Sequence, residues 1–247
     1  MIYARVIVAM AAAVGLRLAL ASVTPLEALH VEVHAVGAYL AVIGALYGII
    51  VAFLMFVVWE QFNRVQTGLG KEAAALEDLC RVATFLSARD AGSRIRLAVR
   101  RYIKSTTGDE ATRLARGEES AVAREQFAAL SQAVRGADVT TGKDDVVFAE
   151  LLRGLARVTE VRDDRLTVST TRIPGTLWNL VVFISVVVFG GFLALGVHSL
   201  WLSLLMVAAV AGSITFLLST LKDMDNPFIG VWNVSYVVMT NVGSRIG

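Results

Sequence analysis

Cysteine is nearly absent from this chain: Cys80 alone excludes an intramolecular disulfide and leaves the redox compartment open. It sits among apolar neighbours, which fits a packed residue better than a nucleophile. Histidine is scarce too, with three residues, His30, His34 and His198, all in short connections. His30 and His34 would share a helix face, but two histidines do not complete a site and the zinc-protease order HExxH is missing. No metal site is expected. The formal net charge of +2 gives no bulk electrostatic attraction to nucleic acid. Pro/Ser-rich linkers, low-complexity tracts and internal repeats are all missing. The membrane-length segments hold no carboxylate pair, metal cluster or nucleophile arrangement. No catalytic residue or cofactor is therefore assigned, and an enzyme is the least supported reading.

What the chain does have is apolar length. Hydrophobic residues make up 56% of its 247 positions and mean hydropathy is +0.65, above the usual apolar share of a soluble domain. Ala35–Trp59 runs without a charge. At 1.5 Å per residue it spans roughly 37 Å, enough to cross a hydrocarbon core of about 30 Å with some tilt. Gly37, Ala41, Gly44, Ala45, Gly48 and Ala52 line up on one side of it at helical spacing, opposite bulkier residues. Gly44 and Gly48 form a GxxxG pair. The stripe is either a face for close helix packing or part of a pore lining shared with equivalent helices of other subunits. Trp59-Glu60-Gln61-Phe62 reads as the interfacial end of this helix.

The charges are segregated. Residues 60–175 hold 19 of the 23 Lys and Arg and 17 of the 21 Asp and Glu. One water-exposed domain therefore lies between two pairs of hydrophobic segments, and the fold class expected is an all-α polytopic membrane protein with four transmembrane helices. The boundaries read as 1–59 for helices one and two, 60–173 for a helical domain, 174–222 for helices three and four, and 223–247 for a C-terminal segment. Residues 2–23 could be a cleaved signal peptide, with a basic start and Ala19-Leu20-Ala21 as a cleavage-like site. The favoured reading is a first membrane helix, because Arg17 interrupts the apolar stretch and a second span follows closely. Arg17 then snorkels to the interface or faces other protein.

In the central domain the apolar positions Ala75, Leu76, Leu79, Val82, Ala83 and Leu86 recur at helical spacing. Ile95, Val99 and Ile103 continue a second amphipathic helix, ringed by Arg94, Arg96, Arg100, Arg101 and Lys104. That basic cluster is a solvated face, a contact with anionic lipid, or a lining that concentrates anions on their way to a pore. Gly108 and Gly117 bracket a break, Glu118-Glu119 starts the next helix with acidic residues at its positive end, and residues 146–173 form one long helix. Pro174 precedes a third membrane helix over about Leu177–Gly196, a placement that suits a helix start. The fourth returns to Lys222. Arg5, Arg64, Lys71, Arg172 and Lys222 all fall on one side of the four spans, while Thr24–His34 has no Lys or Arg. The positive-inside rule puts both termini and the central domain in the cytoplasm, with the inner membrane as the location. Asp225-Asn226-Pro227-Phe228 is a stop and turn. The tail after it, VWNVSYVVM, is too apolar to hang free and should pack on the domain or a neighbour.

Asn226-Pro227-Phe228 just after a last membrane helix resembles the NPFG element of the bestrophin anion channels. Gly48 placed ahead of Trp59-Glu60-Gln61-Phe62, and Ile173-Pro174 entering the third helix, resemble that family too. Glu72-Ala73, Arg101-Tyr102, Leu177-Trp178 and Asp225 to Gly230 are similar to the pattern of bacterial and plant bestrophin-like membrane proteins. The resemblance covers residues 37–235. It implies a homopentamer, with the second helix around a central pore that conducts anions, chloride favoured, and the helical domain forming a cytoplasmic vestibule. Carried over from Gly48 and Trp59, the neck positions fall on Ala41, Ala45 and Ile49, with Ala52 and Phe56 extending the line. Two departures stand out. Alanines replace the bulky neck residues of bestrophins, and Ile229-Gly230-Val231-Trp232 lacks the acidic run that holds calcium in animal bestrophins.

Two functional readings follow: a passive channel whose partners are its own copies, the bilayer and permeating anions, or a non-conducting membrane scaffold or sensor whose cytoplasmic helices bind a partner. A channel needs a continuous axis lined by the second helix in a closed ring. A scaffold does not.

Overall fold

The computed structural model describes residues 2–23, 33–139, 142–194 and 199–246, and among these the regular structure is helical, with no strand. The helices are α1 (Ile2–Val23), α2 (Val33–Ala83), α3 (Arg89–Ser105), α4 (Ala111–Leu114), α5 (Ala121–Arg135), α6 (Gly142–Thr170), α7 (Gly175–Ala194), α8 (Leu200–Met224) and α9 (Val237–Arg245). Among the described residues, four helices are long and apolar enough to cross a membrane. The chain is an all-α membrane protein. His30 and His198, with Pro25, Glu27 and Glu32, lie outside the described residues.

The second helix does not stop at the Trp59 interface. It runs unbroken for 51 residues to Ala83, because nothing after Trp59 breaks a helix. The glycines at 68 and 70 weaken it by about 1 kcal/mol each relative to alanine, and the buried positions Val65, Leu69, Ala73, Leu76, Leu79 and Ala83 carry the helical period straight through. The change from apolar to polar residues marks a change of environment, not of backbone.

Two compact units divide the chain. The first comprises Met1–Trp59 and Ile173–Asp225, the second Glu60–Arg172 and Asn226–Gly247. In the first unit α1 packs along α8. Gly212 lets them approach: a Cβ there would sit 3.0 Å from Met10 Sδ. Close approach through small residues is how helices associate where lipid supplies no hydrophobic drive. The first part of α2 packs on α7 and α8, with Tyr47, Val51, Leu54 and Val58 buried against Val181, Val188, Leu221 and Met224. Leu40 fills the space left by Gly191.

The second unit is a helical bundle whose core gathers α2, α3, α5, α6 and α9. Gly92 of α3 lies against the end of α2, where an added Cβ would be 2.7 Å from the Ala83 carbonyl oxygen. The chain does not break at Gly108. A π-helical turn, Thr106–Glu110, continues α3 into α4 and turns Thr106 and Glu110 inward. The break comes at Gly117, whose φ of 77° needs glycine. The start of α5 is Ser120, whose side chain accepts from Ala123 N at 2.9 Å, so Glu118 and Glu119 precede the helix. The C-terminal segment packs on this unit: Met239 and Val242 are buried in its core, Ser235 exchanges hydrogen bonds with Gln66, and Arg245 pairs with Glu77 at 3.3 Å.

Candidate functional site

The membrane part of α2 has a packed side and an open side. Tyr47, Val51, Leu54 and Val58 face the chain's own helices, and Tyr47 Oη pairs with Ser185 Oγ at 3.0 Å. Ala41, Ala45, Ile49, Ala52 and Phe56 are all exposed within the chain. At about 100° per residue they fall within an arc of roughly 80°, and Ile49 and Phe56 are 67% and 64% accessible. The GxxxG pair is not a packing face inside the subunit: a Cβ built on Gly44 or Gly48 meets nothing within 4 Å. Ile43 is half-buried beside the packed side. The small stripe is therefore left uncovered by the described residues of the chain.

Arg17 does not snorkel. It is 1% exposed and its Nε donates to Ser203 Oγ of α8 at 2.8 Å. A cation at that depth belongs against protein, because an unpaired one facing hydrocarbon would cost several kcal/mol.

The second unit contains an ion network that the sequence reading missed. Glu72 of α2, Tyr102 of α3, Glu110 of the π-turn and Arg162 and Arg165 of α6 meet in its interior. Arg165 Nε donates to Glu72 Oε2 at 2.5 Å and its Nη2 to Glu110 Oε2 at 2.8 Å. Arg162 Nη2 reaches Glu110 Oε1 at 3.3 Å, and its Nε donates to Tyr102 Oη at 3.0 Å. Tyr102 in turn donates to Glu72. Arg162 also stacks 5.0 Å from the Phe127 ring centroid. Two carboxylates and two guanidiniums balance, as buried charges must. Burial, then the nearby Glu72 carboxylate, pushes the Tyr102 phenol well above its usual range, so it stays a neutral donor. Gly68 makes room for the arrangement, lying 3.3 Å from Arg165 Cβ when given a Cβ of its own.

A signal for this network was present. On α6 the buried residues Leu151, Leu155, Val158, Arg162, Arg165 and Ser169 keep one helical period, so two arginines continue an apolar stripe. On α2, Glu72 falls in the stripe of Leu69, Ala73 and Leu76. A charge in register with a core face marks a buried pair.

The turn after the fourth membrane helix is held by its side chains within each unit. Asp225 Oδ1 accepts the Ile173 N–H at 2.8 Å, just before Pro174 starts α7. In the second unit Asn226 Nδ2 donates to Ala115 O at 2.8 Å, its Oδ1 accepts from Phe228 N, and Pro227 O accepts from Val234 N at 2.8 Å. Phe228 packs on the bundle core. The basic residues of α3 are exposed. Arg94 pairs with Asp138 at 3.2 Å and Arg100 donates to Ile246 O, while Arg101 and Lys104 point to the surface around the buried Ile95, Val99 and Ile103. Cys80 is buried in the core, and that burial pushes its thiol up to about 12, which makes it inert packing.

A family model described as Bestrophin-like domain matches residues 7–239. Among solved structures, a zinc-phased crystal structure of a bacterial bestrophin homologue from Klebsiella pneumoniae superimposes with a TM-score of 0.74 at 12% identity, covering 100% of this chain and 97% of the other. A point mutant of a Klebsiella pneumoniae homologue gives 0.75 at 13% identity, covering 99% and 97%. No curated protein matches the sequence.

Proposed function

The chain belongs to the bestrophin-like family, and from that membership we propose that it is a homo-oligomeric ion channel, pentameric and anion-favouring, with α2 lining the pore. One observation carries the reading: Ala41, Ala45, Ile49, Ala52 and Phe56 form an exposed line along a membrane helix that packs on its own subunit through Tyr47, Val51, Leu54 and Val58 on the other side. A ring of copies around that line would stack two alanine tiers, an isoleucine tier, a third alanine tier and a phenylalanine tier. Isoleucine and phenylalanine rings have no polar group to replace an ion's hydration shell, so they hold ions back by dewetting and act as gates rather than as selectivity filters. Chloride preference is supported by the exposed basic face of α3, which would raise the local anion concentration. The second unit and both termini lie on the cytoplasmic side of the inner membrane, in line with the placement of Arg5, Arg64, Lys71, Arg172 and Lys222.

Flux and oligomer size in three variants test the proposal. Ile49→Ala raises conductance with little change in reversal potential, Ile49→Glu wets the ring and favours cations, and Ile43→Ala leaves conductance unchanged. Unchanged flux in Ile49→Ala, together with a collapsed oligomer in Ala45→Leu, would mean that this face is an assembly contact with no pore role.

A further inference from the structure

Three membrane helices of the first unit form an open crevice with two chemically different ends. The deep end, about 380 Å³, is lined by Ala9, Ala12 and Leu16 of α1, Val186 and Phe189 of α7 and Ile214 of α8, among others. The outer end, about 480 Å³, holds Arg5, Lys222, Trp178, Ser219 and Asp225. The two ends share Val182, Thr215 and Leu218 in their walls, so they adjoin along the same helices.

The depth agrees on all three helices. From Arg5 to Leu16, from Trp178 to Phe189 and from Lys222 to Ala211 is eleven residues each, or roughly 16 Å of helix at 1.5 Å per residue. That is about half of a 30 Å hydrocarbon core, the thickness of one leaflet. An apolar shaft, open along one side and one leaflet long, under a cationic mouth has the length and polarity of a phospholipid. At the mouth, Arg5 and Lys222 are exposed and form no ion pair among the described residues. The single carboxylate there, Asp225, is half-buried and accepts the Ile173 N–H at 2.8 Å. Trp178 supplies the amphipathic ring found at headgroup level.

We infer that this crevice is a binding site for an anionic phospholipid, with one acyl chain in the α1–α7–α8 shaft and the phosphate between Arg5 and Lys222. The site needs only the membrane embedding of the chain and does not depend on conduction. Two basic residues near a membrane surface, offset in part by Asp225, should favour an anionic over a zwitterionic headgroup by roughly tenfold.

The test is native mass spectrometry of the purified, delipidated full chain titrated with phosphatidylglycerol or phosphatidylcholine. Phosphatidylglycerol should be retained at one per subunit and preferred by about tenfold. Arg5→Gln with Lys222→Gln, both on exposed side chains, should abolish the preference while leaving oligomer size unchanged. Ala12→Leu, which fills the shaft from an exposed position, should weaken binding of both lipids. Equal binding of the two lipids to the unmodified protein, or a preference that survives the double substitution, overturns the assignment. So does efficient disulfide linkage between copies carrying Ala12→Cys, since the shaft would then be covered by a neighbouring subunit.

Discussion

Replacing Arg165 with methionine would remove a side chain that touches both Glu72 and Glu110. Glu110 would keep Arg162 at 3.3 Å, but Glu72 would be left with only the neutral Tyr102 hydroxyl. Both glutamates are fully buried, so solvent cannot take over from the lost guanidinium. Breaking a buried pair from one side costs about 3–5 kcal/mol, against a total stability of about 5–15 kcal/mol for a typical domain. At about 2–4 °C per kcal/mol for a chain of this size, Arg165→Met should melt roughly 10 °C lower. Adding Glu72→Gln removes the orphaned charge and should recover about 2 kcal/mol of the loss. Thermal unfolding in detergent, followed by tryptophan fluorescence, reads both effects. If Arg165→Met melts within 2 °C of the unmodified protein, or Glu72→Gln restores nothing, the network is not held together by its buried charges.

Three further outcomes follow from local geometry. Gly92→Ala should destabilise by about 1–3 kcal/mol, because its Cβ would meet the Ala83 carbonyl at 2.7 Å and backbone must move; Gly70→Ala, which meets nothing within 4 Å, should be neutral or stabilising in the same melting assay. Tyr102 has a raised folded-state pKa, so its contribution to stability is complete below about pH 10 and falls as pH rises further, by about 1.4 kcal/mol per unit. Tyr236, pushed up mainly by burial, adds to the same alkaline limb, and Tyr102→Phe should flatten it in a pH series of unfolding curves. Cys80, buried with its thiol raised to about 12, should resist maleimide in the folded protein and react at once in denaturant, as mass spectrometry would show.

The membrane segments were legible because lipid admits so few sequences: a run such as Ala35–Trp59 has no other stable environment. The long course of α2 was not, since Trp59-Glu60 changes polarity abruptly while the helical period of Val65, Leu69 and Leu76 continues beneath it. Charges misled most. Glu72 and Arg165 look like solvent-facing residues when counted by type, and only their register with Leu69 and Val158 shows that they point inward. Arg17 was open between lipid interface and protein until Ser203, 186 residues away, came into contact with it. The Ala41-to-Phe56 line could be drawn from spacing alone, but its role belongs to an assembly of copies, which no pattern along a single chain encodes.

The central claim is conduction, and reconstitution answers it. Purified protein in liposomes under a potassium chloride gradient should pass current that reverses near the chloride equilibrium potential and grows in Ile49→Ala. Vesicles with verified incorporation of the oligomer that remain ion-tight, for the unmodified protein and for Ile49→Ala alike, would contradict the account.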